Sequence, residues 1–151
     1  MIVNKKNIDP RSPDSFPVFQ LETAMGSAIS VFKNSSAICV PRTRFAPVKT
    51  SEDLLAVRSD NFILTDEFDV IPNPQRKGSS ITITLDPDYY KLVDEMAARF
   101  PYGAPSLVGC NSLKINGDVK FGKDIKIIGE VEITNKEPDQ LIIDHGSVIN
   151  G

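Results

Sequence analysis

Three cations, Arg42, Arg44 and Lys49, fall within eight positions of the segment V-P-R-T-R-F-A-P-V-K-T-S-E-D-L-L (Val40–Leu55). Pro41 and Pro47 fix the backbone on either side of the arginines. Lys49 stands directly before Thr50, a plausible N-cap, and Asp53 completes a capping box three residues later. A lysine is a compact point charge, and a helix start offers outward-pointing N–H groups. Together they suit a phosphate. The same residues also describe an ordinary solvated loop with a good cap, since charge runs are usually surface. Local chemistry leaves both readings open.

The elements around this loop form a mixed α and β pattern from Met1 to about Phe100. Met1–Asn4 reads as the end of a short strand. Gln20–Phe32 carries Leu21, Ala24, Met25, Ala28, Ile29 and Phe32 at helical spacing, which predicts a helix with one buried face. Ala37–Val40 has strand composition and delivers the chain into the cationic loop. Ser51–Val57 is the capped helix. Asp66–Ser80, with two prolines and a glycine, reads as a loop. I-T-I-T-L (Ile81–Leu85) alternates as a strand does. Asp86-Pro87 then supplies an N-cap and a first-turn proline for a helix running through Leu92, Val93, Met96 and Phe100 to a stop at Pro101.

From residue 106 the period changes. Leu113, Val119, Ile125 and Val131 are spaced by six, and so are Ile115, Phe121, Ile127 and Ile133. Gly117, Gly122 and Gly129 punctuate these two interleaved ladders. Such a register predicts hexapeptide repeats wound into a short left-handed parallel β-helix, against the alternative of a small antiparallel sheet. The ladder breaks at Asn135–Gln140, a loop at one corner, and resumes with Leu141, Ile143 and Val148. About two coils are too few to bury a solenoid core alone, so this module is expected to lean on the first part or on another subunit.

Composition narrows the classes. The 151 residues are 40% hydrophobic and 25% charged, which is ordinary for a globular domain. A net charge of −3 and the lack of a basic stripe with interleaved aromatics argue against nucleic-acid binding. No apolar run approaches the ~20 residues of a membrane span, and the N-terminus lacks a secretory h-region. Cys39 and Cys110 are isolated and read as free thiols of a cytoplasmic protein. No Cys, His and carboxylate cluster has metal-ligand spacing. His145, the only histidine, reads as structural or exposed.

Three ordered blocks, F-Q-L-E-T-A-M-G-S-A-I (Phe19–Ile29), Val40–Leu55 and S-L-K-I-N-G-D-V-K-F-G (Ser112–Gly122), closely resemble the C-terminal portion of eukaryotic-type UDP-glucose pyrophosphorylase, the UTP–glucose-1-phosphate uridylyltransferase. Thr43 and Ala46 stand where that family usually has serine and leucine, and Asp66–Ser80 matches poorly. The resemblance implies an α/β chain: residues 1–105 as the C-terminal part of a nucleotidyltransferase catalytic domain, and 106–151 as the β-helix, a packing and oligomerisation module. It implies that the lysine of the P-V-K motif, here Lys49, binds the substrate phosphates. Arg42 and Arg44 are further candidates for phosphate contact; alternatively one of them holds the loop in shape by pairing with a carboxylate such as Glu22.

In the reaction this resemblance implies, an oxygen of glucose-1-phosphate attacks the α-phosphorus of UTP and pyrophosphate leaves, with Mg²⁺ present. The family carries its glycine-rich nucleotide loop, its uracil and sugar pocket and its metal-binding aspartate in a larger N-terminal portion. No G-x-G phosphate loop follows a strand in this chain. The expectation is a C-terminal piece, inactive alone, whose Mg²⁺ is bound by the part missing here. Other readings are a non-catalytic regulatory module pairing with a full-length enzyme, a piece of a related UDP-sugar pyrophosphorylase, and a hexapeptide acyltransferase using His145.

Overall fold

The computed structural model describes residues 1–23, 25–41 and 47–151. They form two compact units, Met1–Pro41 and Arg42–Gly151.

In the first unit, β1 (Ile2–Asn7) and β2 (Pro17–Glu22) make an antiparallel hairpin, with Ile2 opposite Glu22 and Asn7 opposite Pro17. Asp9 orders the connection by accepting the Arg11 N–H at 2.9 Å. The helix expected over Gln20–Phe32 is corrected: β2 takes the chain through Glu22, and a 3-10 helix spans Met25–Val31. That expectation required a buried stripe, yet Leu21 is 61% and Phe32 67% exposed. With no burial to favour the α form, strand pairing holds P-V-F-Q-L-E, and Gly26 is a poor helix residue. Ala37–Val40 is not a strand either, because it pairs with nothing among the described residues.

The second unit begins with α1 (Ser51–Arg58) and a hairpin of β3 (Phe62–Leu64) and β4 (Val70–Pro72). A 3-10 turn, Pro74–Arg76, follows, capped by Asn73 accepting the Gln75 N–H at 3.0 Å. The stretch expected to be loop, Asp66–Ser80, is therefore half of a hairpin plus a capped turn. Next come β5 (Thr82–Leu85), α2 (Pro87–Tyr90) and α3 (Val93–Arg99). Asp86 caps α2 as expected, by accepting the Asp88 N–H. The single helix expected to Phe100 breaks at Leu92, whose backbone is extended (φ −91°, ψ 143°). Tyr90 and Met96 are both buried, but six residues on one α-helix would put them about 120° apart around its axis. The break resets the phase so that both point inward.

Five further strands follow: β6 (Cys110–Asn116), β7 (Val119–Phe121), β8 (Lys126–Thr134), β9 (Leu141–Ile143) and β10 (Val148–Asn150). A sheet in the order β10-β8-β6-β5 is parallel throughout, and β7 pairs parallel with β9. The antiparallel alternative does not describe these strands. Leu113 lies opposite Val131 and Ile115 opposite Ile133, eighteen residues on, which is three hexapeptides. Phe121 lies opposite Ile143 and Ile127 opposite Ile149, twenty-two residues on. The extra four positions come from the Asn135–Gln140 interruption. This register corrects one expectation: Ile149 packs against the core, whereas Val148, opposite Lys126, is 55% exposed.

One core serves the second unit. Leu113, Ile115, Val119, Phe121, Ile125, Ile127 and Val131 are buried together with Leu55, Leu85, Tyr90, Met96 and Phe100. Phe100 stacks on Phe121 with ring centroids 4.7 Å apart, and the Tyr90 hydroxyl donates to the Val119 carbonyl at 2.7 Å. Two glycines permit the close stacking of successive parallel strands. At Gly117 (φ +83°) a Cβ would collide with the Asn135 carbonyl oxygen, and at Gly129 (φ +81°) with that of Gly151.

Candidate functional site

Lys49 sits at the foot of α1, and the helix start is built as its sequence suggests. Thr50 is the N-cap, with extended backbone (φ −127°, ψ 169°), and its Oγ1 accepts the Asp53 N–H at 3.3 Å. Asp53 returns the bond twice: one carboxylate oxygen accepts the Lys49 N–H at 2.9 Å and the Thr50 N–H at 3.1 Å. These bonds, that from the Lys49 N–H first, hold the Asp53 carboxyl below the usual carboxylate range. The carboxylate therefore stays ionised at neutral pH and pins the backbone of the residue that carries the cation.

This geometry changes the phosphate-cradle idea in one respect. The N–H groups of Lys49, Thr50 and Asp53 are already taken within the capping box, and that of Leu54 donates to the Thr50 carbonyl. That leaves an incoming anion the lysine side chain and the N–H groups of Ser51 and Glu52 in the first turn. Lys49 is exposed, and its ammonium makes no ion pair among the described residues. Arg42 and Arg44 lie outside the described residues, and so does any pairing of either with Glu22.

The helix that carries Lys49 is anchored far along the chain. Leu55 is buried in the common core. Beyond the helix end, Asp60 accepts the N–H groups of Leu107 at 2.6 Å and Val108 at 2.9 Å, and the Ser106 hydroxyl. Asn73 donates to the Asp60 carbonyl at 2.8 Å, tying in the hairpin. Arg76 completes the frame. It is only 7% exposed, and its guanidinium donates to the carbonyls of Ser79, Ser80, Leu107, Val108 and Cys110 at 2.8–3.1 Å. Sequence reasoning passed over Asp60 and Arg76. The available signals were weak: a Ser-Asp-Asn cluster after a helix and an arginine in an Asn-Pro turn. Their long-range partners, in Ser106–Cys110, lie 31 to 48 residues away.

The remaining candidates resolve as structure. His145 accepts the Lys123 N–H through Nδ1 at 2.7 Å, and its ring meets Tyr102 edge-on. That nitrogen is committed to the fold, which gives no support to an acyltransferase base. Cys39 and Cys110 are free thiols, the first exposed and the second buried, and burial pushes the Cys110 thiol up. Among the described residues, no group of three or more His, Cys, Asp or Glu could hold a metal ion, and no helix is long and apolar enough to cross a membrane.

Residues 1–128 match the family model of UTP–glucose-1-phosphate uridylyltransferase. The enzyme of that name from Hordeum vulgare is 44% identical over 142 residues, 93% of this chain and 29% of that enzyme. Its counterpart from Solanum tuberosum is 42% identical over 142 residues, with the same two shares. A crystal structure of a Leishmania major UDP-glucose pyrophosphorylase variant in complex with UDP-glucose superposes with a TM-score of 0.80 at 41% identity, covering 99% of this chain and 31% of that one. The chain thus spans about three-tenths of the length of the relatives it matches. By family model, sequence identity and fold together, the chain belongs to the UTP–glucose-1-phosphate uridylyltransferase family.

Proposed function

We propose that this chain acts as the C-terminal portion of a UTP–glucose-1-phosphate uridylyltransferase, and that Lys49 is its contribution to the chemistry. The reaction joins two highly charged anions, and negative charge builds as the new bond forms. A cation held ready at that point lowers the barrier without having to reorganise. The observation that carries this reading is an exposed Lys49 ammonium, with no ion pair among the described residues, on a backbone clamped by Asp53. Arg42 and Arg44 are read as secondary phosphate contacts. The Mg²⁺ that such chemistry employs finds no ligand set among the described residues, so its site is assigned to the rest of the enzyme and no step here runs through it.

The division of labour proposed from sequence is retained. Residues 1–105 complete the catalytic domain, and 106–151 form a short left-handed β-helix that mediates homo-oligomer assembly in the cytoplasm. The eighteen-residue parallel register supports the coil. The exposed Leu141, Ile142 and Val148, with β10 at a sheet edge, support assembly.

The test is release of pyrophosphate from UTP and glucose-1-phosphate with Mg²⁺, by this chain and by the longest reading frame from its locus, each beside Lys49→Ala. The 151-residue chain is expected to be inactive alone. In the longer product, Lys49→Ala is expected to lower kcat/KM by about 10²–10³-fold, the effect typical of losing one preorganised charge-stabilising group. An unchanged rate would remove Lys49 from the mechanism. Mixed oligomers without turnover would favour a regulatory module instead.

A further inference from the structure

The first unit lacks what an independent fold needs. No described residue of Met1–Pro41 is buried, whereas the core of the second unit runs from Leu55 to Val131. Its strands pair only with each other: β1 and β2 form a two-stranded sheet whose outer edges are open among the described residues. The register gathers apolar side chains on one face. Val3 lies opposite Leu21 and Lys5 opposite Phe19, and residues two apart share a face. Val3, Leu21 and Phe19 therefore form one patch with Lys5 beside it, and these three side chains are 54–67% exposed. The opposite face is mixed, with Ile2 and Val18 among Asn4, Gln20, Lys6 and Glu22. A two-stranded hairpin is marginal in water and needs further strands or a layer packed on its apolar face. Free strand edges beside a clustered apolar patch are the features of a docking surface.

Size and fold indicate the occupant. The chain spans three-tenths of the relatives it matches, so about seven-tenths of such an enzyme has no counterpart here. The Leishmania major structure superposes on 99% of this chain, the hairpin included, within a chain of which this is 31%. A second copy of the hairpin could supply either further strands or a facing layer. The remaining portion of a mixed α/β enzyme supplies both. We propose that the β1–β2 hairpin docks this chain, without a peptide bond between the two, onto the larger portion of a uridylyltransferase of this family. Contact runs strand edge to strand edge, and Val3, Phe19 and Leu21 are covered. The proposal rests on the reading of this chain as a C-terminal portion and not on the role of Lys49.

The experiment coexpresses the 151-residue chain with a tagged Hordeum vulgare enzyme lacking its 142 matched residues, and asks whether the tag captures the chain. Capture is expected, with hydrogen exchange in β1 and β2 slowed at least about tenfold relative to the chain alone. Leu21→Lys puts a charge into the covered patch and should abolish capture. Because Leu21 is exposed in the chain alone, that variant should keep the unfolding midpoint. Val93→Lys, at a similarly exposed position in the second unit, should be captured normally. The intact Hordeum enzyme, whose own segment fills the place, should not capture the chain. No capture, capture that survives Leu21→Lys, capture lost with Val93→Lys, or capture by the intact enzyme would each overturn the proposal. So would a dimer of the chain alone that Leu21→Lys dissociates, since the occupant would then be a second copy. Capture without pyrophosphate release would support docking and count against the role of Lys49.

Discussion

Lys49 owes its backbone position to a carboxylate four residues later, so the residues that present the cation are as informative as the cation itself. Thr50→Ala removes the acceptor of the Asp53 N–H and is expected to cost about 1 kcal/mol of stability, read as a lower thermal midpoint. Asp53 makes a prediction with a sign. Its folded-state value lies below the ordinary 3.8, so the stability it adds is fully present above that value and is lost as the pH falls through the depressed one. Asp53→Asn should therefore lower the midpoint at pH 7, and the gap should close on acidification below about 3.8. A gap that stayed constant into acid would show that the carboxylate charge is not what clamps the loop. Tyr90 is a second residue whose surroundings set its chemistry. Burial pushes its hydroxyl well above the usual range, and that hydroxyl donates to the Val119 carbonyl inside the core. Tyr90→Phe leaves that carbonyl without its donor and should cost about 1–2 kcal/mol in denaturant unfolding.

At the scale of elements, the stacked parallel strands depend on corners that admit no side chain. Gly117 and Gly146 both have positive φ, at +83° and +74°. Only Gly117 faces a backbone, that of Asn135, whereas a Cβ on Gly146 meets nothing within 4 Å. The two alanine substitutions therefore separate backbone strain from collision. Gly146→Ala should cost about 1–2 kcal/mol, the left-handed penalty alone. Gly117→Ala adds displacement of the neighbouring strand and should cost about 3 kcal/mol or more, measured by chemical denaturation. Equal losses would mean that the strands part easily at that corner.

For the whole molecule, the buried residues of the described chain all belong to the second unit, from Leu55 to Val131. A two-stranded hairpin such as β1–β2 is marginal by itself, whereas a core of this kind supports cooperative unfolding. A chain comprising residues 42–151 is therefore expected to unfold in one transition with a midpoint close to that of the intact protein, by circular dichroism. Arg76 holds that unit together by collecting carbonyls from two separate stretches, Ser79–Ser80 and Leu107–Cys110. Arg76→Met strands those carbonyls and should cost about 3–5 kcal/mol, enough to abolish a single sharp transition at 37 °C.

What could be read from sequence was what local rules determine. The capping box at Thr50 and Asp53 involves residues three apart, so its chemistry is written in the segment itself. The period of six from Leu113 to Ile133 likewise announced parallel stacking, because each inward position repeats before any long-range contact is specified. The Asp86-Pro87 helix start was legible for the same reason. Where burial had to be guessed, the reading failed. The stripe from Leu21 to Phe32 had helical spacing but lies exposed, and the helix expected through Leu92 broke because Tyr90 and Met96 share one core. Val148 and Ile149 could not be told apart until pairing with Lys126 and Ile127 set the register. Asp60 and Arg76 carry only weak local signals. Their roles exist only because folding brings Leu107 and Val108 against the end of α1.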